Sequence, residues 1–155
     1  MQRIEAIKNI MNSITDDIVV SSAGMISREV YAVKDRPRNF YVQGSMGATL
    51  PIAIGLALSE TKEKVIAIVG DGEILMNLGS LVLMKKLDLK NLELYILDNN
   101  QYQTTGGQPT CSDAIDFRLL CYCKVIYCSE SKEKVPRIEL EHEEIRRRFM
   151  EAIRE

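Results

Sequence analysis

The chain has 155 residues, of which 46 % are hydrophobic and 27 % charged; this is the composition of a globular domain that buries a core, and it excludes a disordered chain. The formal net charge of −2 excludes a general attraction to nucleic acid or to an anionic membrane, so an anionic ligand must be held by local backbone donors or by a metal. The opening MQRIEAIKNIMNSITDD lacks the apolar core of a signal peptide, and no apolar run reaches the ~18 residues of a spanning helix. The expected compartment is the cytoplasm. Cys111, Cys121, Cys123 and Cys128 include no C-x-x-C spacing and no histidine lies among them, so they read as reduced, partly buried thiols.

In chain order, QRIEAIKNIM places Ile4, Ile7, Ile10 and Met11 at helical spacing. Residues 17–22 (DIVVSS) form a short buried strand ending in small residues, and 25–33 a short helix before the turn KDRPRN. FYVQGSMG (40–47) is a strand running into a glycine-flanked turn, and ATLPIAIGLALSE (48–60) an apolar helix whose small residues predict close packing. A strand over 65–69 precedes a helix from about Ile74 to Lys86, and a strand over 93–97 follows. A helix over 113–123, a strand over 124–128, a solvated linker and a terminal helix with Ile145, Phe149 and Ile153 on one stripe complete the chain. Strands alternating with helices predict an α/β fold in three layers, a parallel sheet flanked by helices, as one domain over residues 1–155.

In such a sheet, ligands bind outside the carboxyl ends of the strands. The unusual residues collect there. VIAIVGDGEILM puts an acid between two glycines where a buried strand ends, and LELYILDNNQYQTTGGQPT ends the next strand in Asp-Asn-Asn. The span between them suits one helix and one strand, so Asp71 and Asn99 are expected to face each other across a small gap. A carboxylate, an amide oxygen and a carbonyl make an incomplete, oxygen-only shell of the kind that suits Mg²⁺ with phosphate and water. A helix starting just past Gly72 would add unpaired N–H groups.

This pattern resembles the diphosphate-binding motif of thiamine diphosphate enzymes. The resemblance implies Mg²⁺ bound by the side chains of Asp71 and Asn99 and by the backbone carbonyl of Gln101, with Gly70, Gly72, Glu73 and Tyr102 in the cofactor-binding stretch. The turn Gly44-Ser45-Met46-Gly47 is similar to the family's turn beneath the bent cofactor. There Met46 would wedge the two rings apart, and the Gly44 carbonyl would accept from the 4′-amino group. Within the family the chain is most similar to sulfopyruvate decarboxylase β subunits and the matching half of phosphonopyruvate decarboxylase. That implies a 2-oxoacid substrate, on the way to coenzyme M if it is sulfopyruvate. Two departures stand out. Glu73 occupies a position where the family commonly has a small residue; beside a phosphate, a carboxylate costs about a kcal/mol or more unless it points away or caps the helix start. The stretch before the terminal helix is also compressed by about one helix–strand unit.

The family's activating glutamate lies on a separate pyrimidine-binding domain, for which this chain has no room. No catalytic residue is therefore expected here. The resemblance implies a partner α subunit that supplies the glutamate, in an α₂β₂ or higher assembly, without nucleic acid or membrane. His142 reads as an exposed helix-start residue, KDRPR as a solvated turn with a possible pull on anionic substrate, and TTGGQPT as a surface loop or a flap. The alternatives are a β subunit of a 2-oxoacid:ferredoxin oxidoreductase, which TGGQPT also resembles, and a non-catalytic module of the same fold.

Overall fold

The computed structural model describes residues 1–59 and 62–154. In order these form α1 (Arg3–Asn12), β1 (Ile18–Ser21), α2 (Met25–Lys34), β2 (Asn39–Tyr41), α3 (Thr49–Leu58), β3 (Val65–Gly70), α4 (Asp71–Met76), α5 (Gly79–Leu87) and β4 (Leu92–Asp98). A two-stranded hairpin, β5 (Gln101–Tyr102) and β6 (Gln108–Pro109), precedes β7 (Lys124–Tyr127) and α6 (His142–Ala152). Five strands pair in parallel in the order β2-β1-β3-β4-β7.

The strands read as continuous apolar runs because both sheet faces are covered. Ile18 and Val20 of β1, Val65, Ala67 and Val69 of β3, and Leu92, Leu94 and Ile96 of β4 pack with Leu50, Ala53 and Ile54 of α3 and Leu81 and Met84 of α5. The alternate residues Val19, Ile66, Ile68 and Leu97 pack with Ile7, Ile10 and Met11 of α1 and Ile26 and Val30 of α2. Each such side chain contributes about 1.5–3 kcal/mol on full burial. Helix α6 lies along edge strand β2 and serves both layers, with Phe149 in one core and Ile145 in the other. The three-layer α/β architecture expected from the sequence is therefore present.

Three local expectations need correction. The helix expected from Ile74 begins at Asp71, and it breaks at Asn77, whose φ of −143° and ψ of 57° leave the helical region. The break has a use: Asn77 Nδ2 donates to the Gly47 carbonyl at 2.9 Å. The helix expected over 113–123 is replaced by two single 3₁₀ turns, Ser112–Ala114 and Phe117–Leu119. Asp116 there accepts from the Arg118 N–H at 3.1 Å, a local bond that competes with helix, while Leu119 and Tyr122 are exposed, so no continuous apolar stripe forms. The β5–β6 hairpin was not expected. Residue 60 of the helix expected over 48–60 lies outside the described residues. His142 is exposed at the start of α6, as expected, and the four cysteines are free thiols, of which Cys111 is exposed rather than partly buried.

Candidate functional site

Strands β3 and β4 are neighbours, with Gly70 opposite Leu97 at their carboxyl ends. β3 hands over to α4 without a loop: Gly70 is the N-cap, so Asp71 is carried on a rigid junction and is only 2 % exposed. Thr110 Oγ1 donates to Asp71 Oδ2. Burial pushes the Asp71 carboxyl above its ordinary pKa and nearby Asp98 adds to this, against hydrogen bonds from Thr110 and the Asn99 N–H. The corner is thus rich in negative charge.

The amide of Asn99 points into that corner. Its terminal atom facing the gap lies 3.0 Å from the Gln101 carbonyl oxygen and 3.2 Å from Asp71 Oδ1. Adjacent oxygens around an octahedral Mg²⁺, with bonds of 2.0–2.1 Å, are about 3 Å apart. Without a cation, the amide nitrogen is the atom those two acceptors would draw in; with a cation between them, the amide oxygen takes that place. No cluster of three His, Cys, Asp or Glu side chains exists among the described residues, so this mixed oxygen set is the arrangement suited to a hard cation. The other two polar residues of the Asp-Asn-Asn run have different work. Asp98 accepts from the Asn100 N–H at 3.0 Å and from Ser112 Oγ at 2.8 Å. Asn100, at φ 55°, accepts from Thr110 and Ser112, each at 3.3 Å. Asn99, rather than Asn100, is thus the amide that faces Asp71 and the Gln101 carbonyl.

Glu73 reaches across to the start of another helix. Its Oε1 accepts from the Gly47 N–H at 3.3 Å and the Thr49 N–H at 3.1 Å, so it caps α3 rather than its own helix and fastens the 44–47 turn; its Oε2 has no partner among the described residues. Gly72 is required by close approach: a Cβ there would lie 2.4 Å from the Tyr102 ring. Gly47 holds φ 96°, a conformation that disfavours any side chain. Met46, the expected wedge, is 49 % exposed at the mouth of the cleft and is not a core residue.

That cleft measures about 90 Å³ and is lined by Met46, Gly70, Asp71, Gly72, Glu73, Asn99, Gln101 and Tyr102 together with Arg3 and residues 103–105. Gly44 and Ser45 do not line it; Ser45 faces a second cavity, beside Gln43 and His142. The sequence reading missed Arg3, Glu29, Gln103 and Thr110. Arg3 is buried, with Nε and Nη2 each 2.8 Å from the Glu29 carboxylate and Nη1 2.5 Å from Gln103 Oε1. A signal was present: Arg3 continues the core stripe of α1, a position where a charge demands a buried partner.

Fold and rim together are those of a parallel α/β protein with a carboxylate, an amide and a carbonyl converging at two adjacent strand ends. The family described as "Thiamine pyrophosphate enzyme, C-terminal TPP binding domain" matches residues 20–118, and the chain belongs to it. Among its relatives is the sulfopyruvate decarboxylase subunit beta of Methanothermobacter thermautotrophicus, 47 % identical over 116 residues, or 75 % of this chain and 62 % of that one. The subunit beta of Methanococcus maripaludis is 40 % identical over 183 aligned positions, 99 % of this chain and 98 % of that one. Since 183 positions exceed 155 residues by 28, at least that many positions of the relative have no counterpart here, in keeping with a compressed chain. Phosphonopyruvate decarboxylase of Streptomyces viridochromogenes is 40 % identical over 115 residues, 74 % of this chain and 29 % of its own. A solved structure described as "X-ray structure of a putative thiamin diphosphate-dependent enzyme isolated from Mycobacterium smegmatis" superposes with a TM-score of 0.63 at 16 % identity, over 86 % of this chain and 32 % of that one; it shares the fold. Among the described residues no helix is long and apolar enough to cross a membrane.

Proposed function

We propose that residues 1–155 are a single diphosphate-binding domain serving as the β subunit of a cytoplasmic, thiamine diphosphate-dependent 2-oxoacid decarboxylase. Sulfopyruvate is the substrate, converted to sulfoacetaldehyde and CO₂ for coenzyme M biosynthesis; phosphonopyruvate is the second candidate. The observation that carries this reading is the convergence of Asp71, Asn99 and the Gln101 carbonyl on one gap. Those three oxygens would hold Mg²⁺, which takes its remaining ligands from the diphosphate and water. Bound there, thiamine diphosphate would supply the ring that accepts the electron pair freed as CO₂ leaves. The chain's own residues do the rest. Met46 would buttress a bent cofactor from its turn, which Glu73 of α4 and Asn77 at its end fasten. The Gly44 carbonyl, outside the cleft lining of this chain alone, would accept a hydrogen bond from the cofactor's amino group. Ile26 and Leu97 keep the inner wall apolar.

A partner subunit completes the site. The cleft of about 90 Å³ is far below the ~300 Å³ of an ordinary small-molecule pocket, so this chain provides one wall. Met46, Leu58, Met76, Val82 and Leu83 are exposed on the turn and on α3, α4 and α5, an apolar surface of the kind that marks an interface. The partner carries the pyrimidine-binding domain and its activating glutamate, in an α₂β₂ or larger assembly. Calorimetric titration of the subunit complex with thiamine diphosphate in Mg²⁺ tests the reading. Asp71→Ala is expected to weaken binding at least a hundredfold with the thermal midpoint nearly unchanged; equal binding by the variant would sink it.

A further inference from the structure

The arginines of KDRPR, the sequence's candidates for attracting anionic substrate, are occupied elsewhere. Arg36 donates to the carbonyls of Thr15 and Asp17, and Arg38 to the Asp16 carbonyl, with Glu63 3.1 Å away. They precede β2, at the end of the sheet opposite the cation corner. Arg3, Arg118, Arg147 and Arg148 are each paired with a carboxylate. Arg28, Arg137, Arg146 and Arg154 remain without a carboxylate or carbonyl partner among the described residues; Arg28 has only the Met25 sulfur, at 3.9 Å.

All but Arg154 gather at one place. Arg28, on the first turn of α2, and Arg137 line a cavity of about 280 Å³ with Gly24, Ser27, Val42, Gln43 and Ile138. Arg146 lines the adjoining cavity, which shares Val42 and Gln43. Gln43 immediately precedes the Gly44–Gly47 turn, and its amide is likewise without a hydrogen-bond partner among the described residues. The wall toward the cofactor cleft is thin: Ser22 and Ala23 line the cleft, Gly24 lines the cavity, and a Cβ on Gly24 would lie 3.7 Å from Thr104, a residue of the cleft. Arg28 is half-buried and Arg137 exposed; guanidinium groups lining one concavity repel one another, less strongly where solvent screens them. A tetrahedral oxyanion between them removes that cost and matches the forked donors of arginine.

We propose that Arg28 and Arg137, with the Gln43 amide, form the subsite for the sulfonate group of the substrate, its 2-oxoacid end reaching past Gly24 and the 44–47 turn toward the cofactor. This rests on the decarboxylase reading above. The cavity is large enough for a three-carbon dianion and lies on this chain, so it selects the anionic tail while the cation corner holds the cofactor.

Two measurements test it. In the subunit complex, Arg28→Gln and Arg137→Gln are each expected to raise KM for sulfopyruvate about tenfold or more, the size of one lost charge-assisted contact. Thiamine diphosphate affinity should be unchanged, Arg28→Lys should recover part of the loss, and Arg154→Gln should have no effect. The second measurement does not need turnover: arginine Nε–Hε NMR signals of the full chain, in the complex, titrated with sulfoacetate and separately with phosphonoacetate. Saturable shifts confined to Arg28 and Arg137, stronger for sulfoacetate, support the proposal. Equal shifts at Arg154, no shift at all, or a stronger response to phosphonoacetate overturn it, as does an unchanged KM in both glutamine variants. A complex that binds sulfoacetate at these arginines yet decarboxylates neither 2-oxoacid leaves the subsite standing and removes the decarboxylase reading.

Discussion

On one side of the rim, residues 65–76 pass from β3 into α4 with no intervening loop, and the backbone itself aims Asp71. On the other, residues 99–123 form a short hairpin and three 3₁₀ turns held in place by side chains. Thr110 reaches Asp71, Ser112 reaches Asp98, and Asn100 takes both hydroxyls. For residues 103–108 the one hydrogen bond to the chain outside the hairpin, among the described residues, is Arg3 to Gln103. The carboxylate of the cation set therefore sits on the stiff side, and the Gln101 carbonyl on the side that local bonds must keep in position. A site assembled this way is preorganised in its charge and adjustable in its enclosure.

Several substitutions would break or sharpen that contrast. The largest effect is expected at Arg3, which ties the hairpin to α2 through Gln103 and Glu29. Arg3→Leu leaves the Glu29 carboxylate, 0 % exposed, without its cation and should cost about 3–5 kcal/mol in denaturant unfolding; the double replacement Arg3→Met with Glu29→Met should recover most of it. Next is the stiff side. Gly72→Ala drives a Cβ to within 2.4 Å of Tyr102 and should cost about 1–3 kcal/mol, largely restored by Tyr102→Ala in the same chain. If the alanine is tolerated without movement of Tyr102, the junction is softer than described.

On the side-chain-held half, Thr110→Val removes the donor to Asp71 and should lower Mg²⁺-dependent cofactor affinity about tenfold, with about 1 kcal/mol lost in stability and Thr110→Ser close to the parent. The smallest change is expected for Gln103→Leu. Hydrogen exchange should accelerate at residues 101–109 alone, with global stability altered by less than ~1 kcal/mol. Acceleration spreading into β3 or β4 would erase the distinction between the two halves.

The same contrast separates what could be read from the residues and what could not. Apolar strand runs ending in Gly-Asp-Gly and Asp-Asn-Asn announced a parallel sheet and its functional rim, because strand burial and chain direction are local, repetitive properties. The resemblance implied Asn99 for the cation corner, through the place it gives Tyr102, and Asn100 accepts from Thr110 and Ser112. Residues 113–123 were misread as a helix because apolar content alone does not reveal that Asp116 closes a turn on Arg118.

By itself, the sequence determined the layered α/β fold, the acid between glycines and the family to which the chain belongs. Only the tertiary structure decided that Glu73 caps α3, that Arg3 spans from α1 to the hairpin, and which arginines line the concavity beside Gln43. Those outcomes depend on which distant groups satisfy one another once buried, and a charge or a polar hydrogen finds its partner in space rather than along the chain.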